Sequence, residues 1–430
     1  MNPIPPWNAG IARVGRRLAA AALLALAACT GATPTPPPTA AQPAVEPWTL
    51  PAPPGAAQPD LALAPDGRLL LSWLEPAGDG GHRLRLATTG PGSAHWAPPL
   101  TVAEGGDWFV NWADTPHVHA LADGSLWAHW LRNTGPTRMD YGIALVRSGD
   151  GGRSWSAPQQ VHPPGTRGDH GFVTFWAQGE DRLGIAWLDS RQKAAAAGAG
   201  GHAGHHGAGP PMMLRAAIHG PHGAQEAEWP LDPSTCDCCT TASARTARGV
   251  VVVYRGRDGE EVRDTRLVRL EQGTWTSPRD VHADGWRFPG CPVNGPAVAA
   301  DGDRVWVAWY TEAGGVPELR MARSDDAGDR FGAPVTLARG AQVLGRVALA
   351  FGDGALFAAW LEEAAPASQR LVLARYGPDL SRTAQVGVAA VQARGRASGL
   401  PRLQWSSGAA WLVWTETREG QPVLRGAVVR

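Results

Sequence analysis

The chain has 430 residues with 39 Lys+Arg against 39 Asp+Glu, so its formal net charge is zero, and this balance excludes the basic footprint of a nucleic-acid-binding protein. Only five cysteines occur, whereas the 20 tryptophans are far more than a chain of this size usually carries.

In chain order, Arg13, Arg16 and Arg17 precede an Ala/Leu run, "LAAAALLALAA", that is too short to span a bilayer and has the proportions of a signal peptide over residues 1–28. The run ends in "LAAC" (Leu26 to Cys29), which resembles the lipobox of bacterial lipoproteins. That resemblance implies that Cys29 is lipidated, becomes the new N-terminus and ties the protein to a membrane. Thr30 stands where an aspartate would suggest inner-membrane retention, which implies the outer membrane. Residues 29–45 are rich in Pro, Thr and Ala, cannot bury enough surface to fold, and read as an extended tether. Residues 46–430 then form the folded domain, in which four cysteines remain: Cys236, Cys238, Cys239 and Cys291.

A repeat runs through that domain. Apolar runs ending in an aromatic recur at Trp73, Trp130, Trp187, Tyr254, Trp309, Trp360 and Trp414, spaced 51 to 67 residues apart. Around each lie an earlier apolar run, a Gly/Asp turn such as "PDG" or "ADG", and two further strand patterns joined by tight turns, a sequence of antiparallel hairpins. Four strands repeated seven times predict an all-β fold, a single β-propeller of seven blades. The last copy stops one strand short at "PVLRGAVVR", and "VEPWTLP" near the start is positioned to supply that strand and close the ring.

The third-to-fourth-strand turn carries "SGDGGRSW" (Ser148 to Trp155), with a weaker copy in "SDDAGDRF" (Ser324 to Phe331) and a degenerate one in "TGPGSAHW" (Thr89 to Trp96). These resemble the Asp-box of BNR-type propellers, so the domain is similar to sialidase-superfamily propellers. The resemblance implies that Asp150 and Asp326 build turns; it also implies six blades, the usual number in sialidases, as the alternative to seven.

In a propeller, the loop entering each innermost strand and the loop joining its second and third strands share one rim. Cys236, Cys238 and Cys239 enter blade four and Cys291 enters blade five, so four sulfurs distant in sequence converge on one mouth. His170 enters blade three, and the loop carrying His202, His205 and His206 leaves it beside the cysteines. Soft sulfur donors with imidazoles suit copper or zinc. Two disulfides are the other reading for an exported protein, with Cys291 joined to one member of the cluster. The loop "AAAAGAGGHAGHHGAG" also reads as a plain low-complexity insertion.

The sialidase resemblance implies three arginines clamping a substrate carboxylate, a tyrosine nucleophile with a glutamate partner, and an aspartate acid/base. The family's early "F/Y-R-I-P" motif is absent, so the candidates here are Tyr310, Glu312, Arg255, Arg346 and Asp114, none matched to a family motif. Three functions follow as expectations. The first is an exported, lipid-anchored monomer with a Cys/His site for a soft metal or for thiol chemistry. The second is an exo-α-sialidase-type glycoside hydrolase, and the third a scaffold that binds a glycan or a periplasmic protein and is held by disulfides.

Overall fold

A computed structural model describes residues 43–193, 210–364 and 368–430. Among them, seven antiparallel sheets form a seven-bladed propeller. The blades span residues 57–105, 118–160, 170–235, 242–280, 297–339, 343–391, and 402–429 completed by Val45–Trp48. Each blade runs in sequence order from its innermost strand outward, and the innermost strands of successive blades meet around the centre. In blade four the outermost strand is split into Thr274–Trp275 and Arg279–Asp280.

The ring closes by pairing the two ends of the domain. Val45 lies opposite Val429 and Trp48 opposite Gly426, so the early segment is the outermost strand of blade seven. Closure leaves no blade with a missing partner strand.

The seven aromatic-ended runs are the second strands of the seven blades, as in Arg182–Asp189, Gly249–Arg255 and Ala355–Glu363. Side chains alternate across a strand, and both faces of a blade are covered by neighbours, so these strands are apolar almost throughout. Val250, Val252 and Tyr254 fill the gap toward blade three, while Val251 and Val253 fill the gap toward blade five. An apolar cluster of this kind occupies each of the seven gaps between neighbouring blades.

A buried indole N–H needs an acceptor, and in four of the blades the repeat supplies one two residues later. Trp73 donates to Glu75 (3.2 Å), Trp187 to Asp189 (2.9 Å), Trp360 to Glu362 (2.8 Å) and Trp414 to Glu416 (3.1 Å). Third-strand arginines then pair with the same acids, Arg83 with Glu75, Arg370 with Glu362 and Arg425 with Glu416.

The turns Ser148 to Trp155 and Ser324 to Phe331 share one hydrogen-bond pattern. The N–H of Gly152 donates to Ser148 Oγ (2.8 Å) and that of Ser154 to Asp150 Oδ1 (2.9 Å); Gly328 to Ser324 (2.9 Å) and Arg330 to Asp326 (2.9 Å) repeat it. Gly152 and Gly328 sit at φ of 88° and 89°, the left-handed region that glycine enters without strain. Among the described residues no helix is long and apolar enough to cross a membrane.

Candidate functional site

The segment between Gln225–Thr235 and Ala242–Thr246 enters blade four and carries three cysteines. It is pinned to the second-to-third loop of its own blade: the N–H of Cys236 donates to the carbonyl of Arg255 (3.0 Å), and Ser234 Oγ donates to the carbonyl of Arg257. Its sulfurs are clustered, with Cys236 Sγ 3.2 Å from Cys239 and 3.8 Å from Cys238. Among the described residues, these three are the group of metal-ligating side chains whose donor atoms all lie within 4.8 Å of one another.

Cys291 arrives from the loop entering blade five. That loop passes hard against the first: a Cβ on Gly295 would lie 2.1 Å from Thr240 Oγ1 and 2.2 Å from its carbonyl oxygen, so only glycine permits the approach. That packing brings the loop carrying Cys291 against the cysteine run, and all four thiols are free. Cys236 and Cys239 are 1% exposed, whereas Cys238 and Cys291 are half-buried.

Arginines surround the sulfurs. Arg255, 1% exposed, donates to the carbonyls of Asn294 (3.0 and 2.9 Å), Arg263 (2.5 Å) and Tyr310 (2.7 Å), with no carboxylate among these partners. Its guanidinium also stacks over Trp286 at 4.9 Å and acts electrostatically on Cys239. Arg263 acts on Cys236 and donates to Glu261 (2.5 Å), which Arg257 also engages (2.6 Å). Asp237, inside the cysteine run, takes Lys193 at 2.5 Å.

This setting polarises the thiols. Burial opposes ionisation of Cys236, but hydrogen bonds from Cys238 and Cys239 and the Arg263 charge outweigh it and hold Cys236 well below the ordinary thiol range. Donating to Cys236 pushes Cys238 well above that range, and burial followed by the Cys236 bond pushes Cys239 up as well.

The other residues expected at this site are distributed differently. His170 is fully buried but faces Asp189 (3.3 Å) and stacks on His162 at 3.8 Å, so it is not part of the sulfur cluster. The reason is that it opens an innermost strand opposite Asp189, in register within its own blade. His202, His205 and His206 lie outside the described residues, as does Cys29. The described ends of that histidine loop flank the cysteine run: Lys193 on Asp237, and Met212 paired with Thr235.

Tyr310 is 7% exposed and its hydroxyl donates to Glu312. Arg255 is saturated by carbonyls, so it is not free to clamp a carboxylate. Arg346 donates to Ser398 Oγ (2.6 Å) and to the carbonyls of Gly399 (2.9 Å) and Gly395 (2.7 Å), and stacks over Trp112 at 4.7 Å. It is likewise committed to holding entering loops together. Asp114, 2% exposed, accepts the Phe172 N–H at 2.7 Å, and its Oδ2 has no partner.

Sequence reasoning passed over Arg257 and Arg263, although "RGRDGEEVR" is the second-to-third loop of the cysteine-bearing blade and the rim rule places it beside the sulfurs. It also passed over a second polar group on the innermost strands, where Asp60 meets His117 (3.1 Å) and Arg402 (3.5 Å), with His129 buried nearby. No spacing signal marks that group, because its members come from blades one, two and seven.

No protein-family model and no curated protein matches the chain. Among solved structures, the polysaccharide lyase Uly1 aligns with a TM-score of 0.51 at 9% identity, over 88% of this chain and 90% of its own. The K499G mutant of the NanB sialidase from Streptococcus pneumoniae aligns at 0.46 and 10% identity, over 87% of this chain and 68% of that one. The Hadza microbial sialidase Hz136 aligns at 0.41 and 16% identity over 71% of this chain, which spans 63% of the length of Hz136. At 9% identity the likeness to Uly1 is one of fold alone, and that fold is an all-β, seven-bladed propeller.

Proposed function

We propose that this propeller holds a soft d10 metal ion, copper(I) or zinc, on the thiolates of Cys236, Cys238, Cys239 and Cys291, and that lipidated Cys29 tethers it at the cell envelope. The observation that carries the reading is the sulfur cluster itself. Four thiolates around zinc at about 2.3 Å stand about 3.8 Å apart, close to the 3.8 Å between Cys236 and Cys238 and the 3.2 Å between Cys236 and Cys239. A thiolate-metal site is anionic, and Arg255 is a buried cation bonded to carbonyls beside it, a charge that an anionic neighbour would stabilise. Histidine is not needed in this site.

The test is element analysis of the full chain purified without an affinity tag, followed by anaerobic titration with copper(I) and zinc. About one ion per chain, lost on Cys236→Ser, is the expected result. Absence of both metals with all four thiols oxidised would overturn the reading and leave a scaffold held by disulfides.

A second reading, glycoside hydrolysis of sialidase type, is favoured by the Tyr310–Glu312 hydrogen bond, the pairing of a phenol with a carboxylate that could take its proton. Burial and the neighbouring Glu312 charge push Tyr310 upward, which works against its ionisation. Hydrolysis of a fluorogenic sialoside that disappears in Tyr310→Phe would support it; no turnover by the wild-type protein would exclude that substrate.

A further inference from the structure

The four thiols differ in how they meet solvent, and the difference follows a spatial order. Cys291 and Cys238 are half-buried, on loops that pack against each other where Gly295 meets Thr240. Cys238 lies 3.8 Å from Cys236, and Cys236 lies 3.2 Å from Cys239; the last two are 1% exposed. A line of sulfurs therefore leads from the rim inward. A donor molecule that carries a metal on its own thiolate reaches the outer pair, whereas only the bare ion passes to the inner pair.

Resting on the soft-metal reading, we infer that Cys291 and Cys238 take the ion from a small thiolate-bearing donor and that Cys236 and Cys239 retain it. Transfer proceeds by ligand exchange. The sulfur of Cys291 bonds the ion while the donor sulfur still holds it; the donor bond then breaks, and Cys238, Cys236 and Cys239 bond the ion in turn. Each protein thiol still protonated gives up its proton as its metal bond forms; one proton goes to each departing donor thiolate and the rest to water. The ion keeps its oxidation state throughout, so no oxidant or reductant is consumed. The two outer cysteines come from loops of adjacent blades, which gives the exchange its opening: the loop entering blade five carries Cys291 independently of the run that carries the other three.

Two measurements on the full-length, reduced, metal-free protein test this. In the first, iodoacetamide labelling is mapped by peptide mass spectrometry, and half-buried Cys291 is expected to react about tenfold or more faster than Cys236 and Cys239, which burial shields from the reagent. Equal rates at all four would overturn the gradation, and this experiment needs no variant. In the second, copper(I) is offered as its glutathione complex, with a bicinchoninate chromophore as competitor to read equilibrium affinity. Cys291→Ser is expected to slow uptake about tenfold or more while affinity changes less, and Cys239→Ser to weaken affinity by about 100-fold. If Cys291→Ser lowers rate and affinity in parallel, Cys291 is an ordinary fourth ligand and the proposed path is wrong while the metal site stands. If the wild-type chain takes up no metal from either source, it is the soft-metal reading that fails.

Discussion

Replacing Asp114 with asparagine is expected to stabilise the propeller in a strongly pH-dependent way. The carboxyl is 2% exposed, Oδ1 accepts one backbone N–H from Phe172, and Oδ2 lies unpartnered against Gly171, where a Cβ would come within 2.0 Å of it. Burial dominates, Asp169 adds repulsion, and the Phe172 bond offsets only part, so Asp114 is raised from 3.8 to about 7. The sign follows from proton counting. Between those two values the folded chain holds a proton that the unfolded chain has lost, so stability falls as pH rises, and above pH 7 the full cost is present. Three units at about 1.4 kcal/mol each give a cost on the order of 4 kcal/mol. Asparagine keeps the acceptor for Phe172 and cannot ionise. Guanidinium unfolding followed by tryptophan fluorescence at pH 4, 5.5, 7 and 8.5 should show the difference between variant and wild type growing in favour of the variant by about 4 kcal/mol across that span. Any fixed offset from the new amide leaves this slope unchanged. A difference that stays constant with pH would refute the assignment of a protonated Asp114.

Asp60 should behave in the opposite sense: against its burial, His117 and then Arg402 lower it to about 2, so the stabilisation is present above pH 3.8 and lost as pH falls toward 2. Asp60→Asn is expected to cost about 2 kcal/mol at pH 7 and nothing near pH 2, read from the same melts. Trp48 locks the closing strand, being 5% exposed, stacked on Trp96 at 4.7 Å, set edge-on to Trp411 at 4.7 Å, and bonded through Nε1 to the Ala94 carbonyl at 2.9 Å. Trp48→Ala should cost about 3–5 kcal/mol; a loss below about 1 kcal/mol would show that the pairing of the two ends is dispensable. Gly295→Ala should push the loop entering blade five off Thr240, at a cost of about 1–3 kcal/mol, and raise iodoacetamide labelling of buried Cys236; unchanged labelling would contradict the close approach that brings Cys291 to the cluster.

The blade count was legible because each second strand must bury both faces, which forces the same apolar run ending in an aromatic to recur from Trp73 to Trp414; in four of the seven an acid two residues on takes the indole N–H. Closure was legible for a related reason: a last blade lacking one strand leaves an edge, and "VEPW" fits it residue for residue against 426–429. That the loop carrying Cys291 packs against the cysteine run is what the rim rule placed there. What the rule could not supply is direction within the mouth. His170 sits on the expected rim, yet strand register turns it to Asp189. Arg255 and Arg346 also sit there, but their guanidinium groups are consumed by loop carbonyls, a fate that residue type does not reveal. The Asp60 and His117 group was invisible because it is assembled across the ring rather than along the chain.

X-ray absorption at the copper or zinc edge of the loaded full-length protein examines the sulfur centre most directly. A first shell of three or four sulfurs at about 2.2–2.3 Å, with no nitrogen or oxygen scatterer, is the predicted result. A shell of nitrogen and oxygen donors, or loading that survives replacement of Cys236 and Cys239 together by serine, would contradict it.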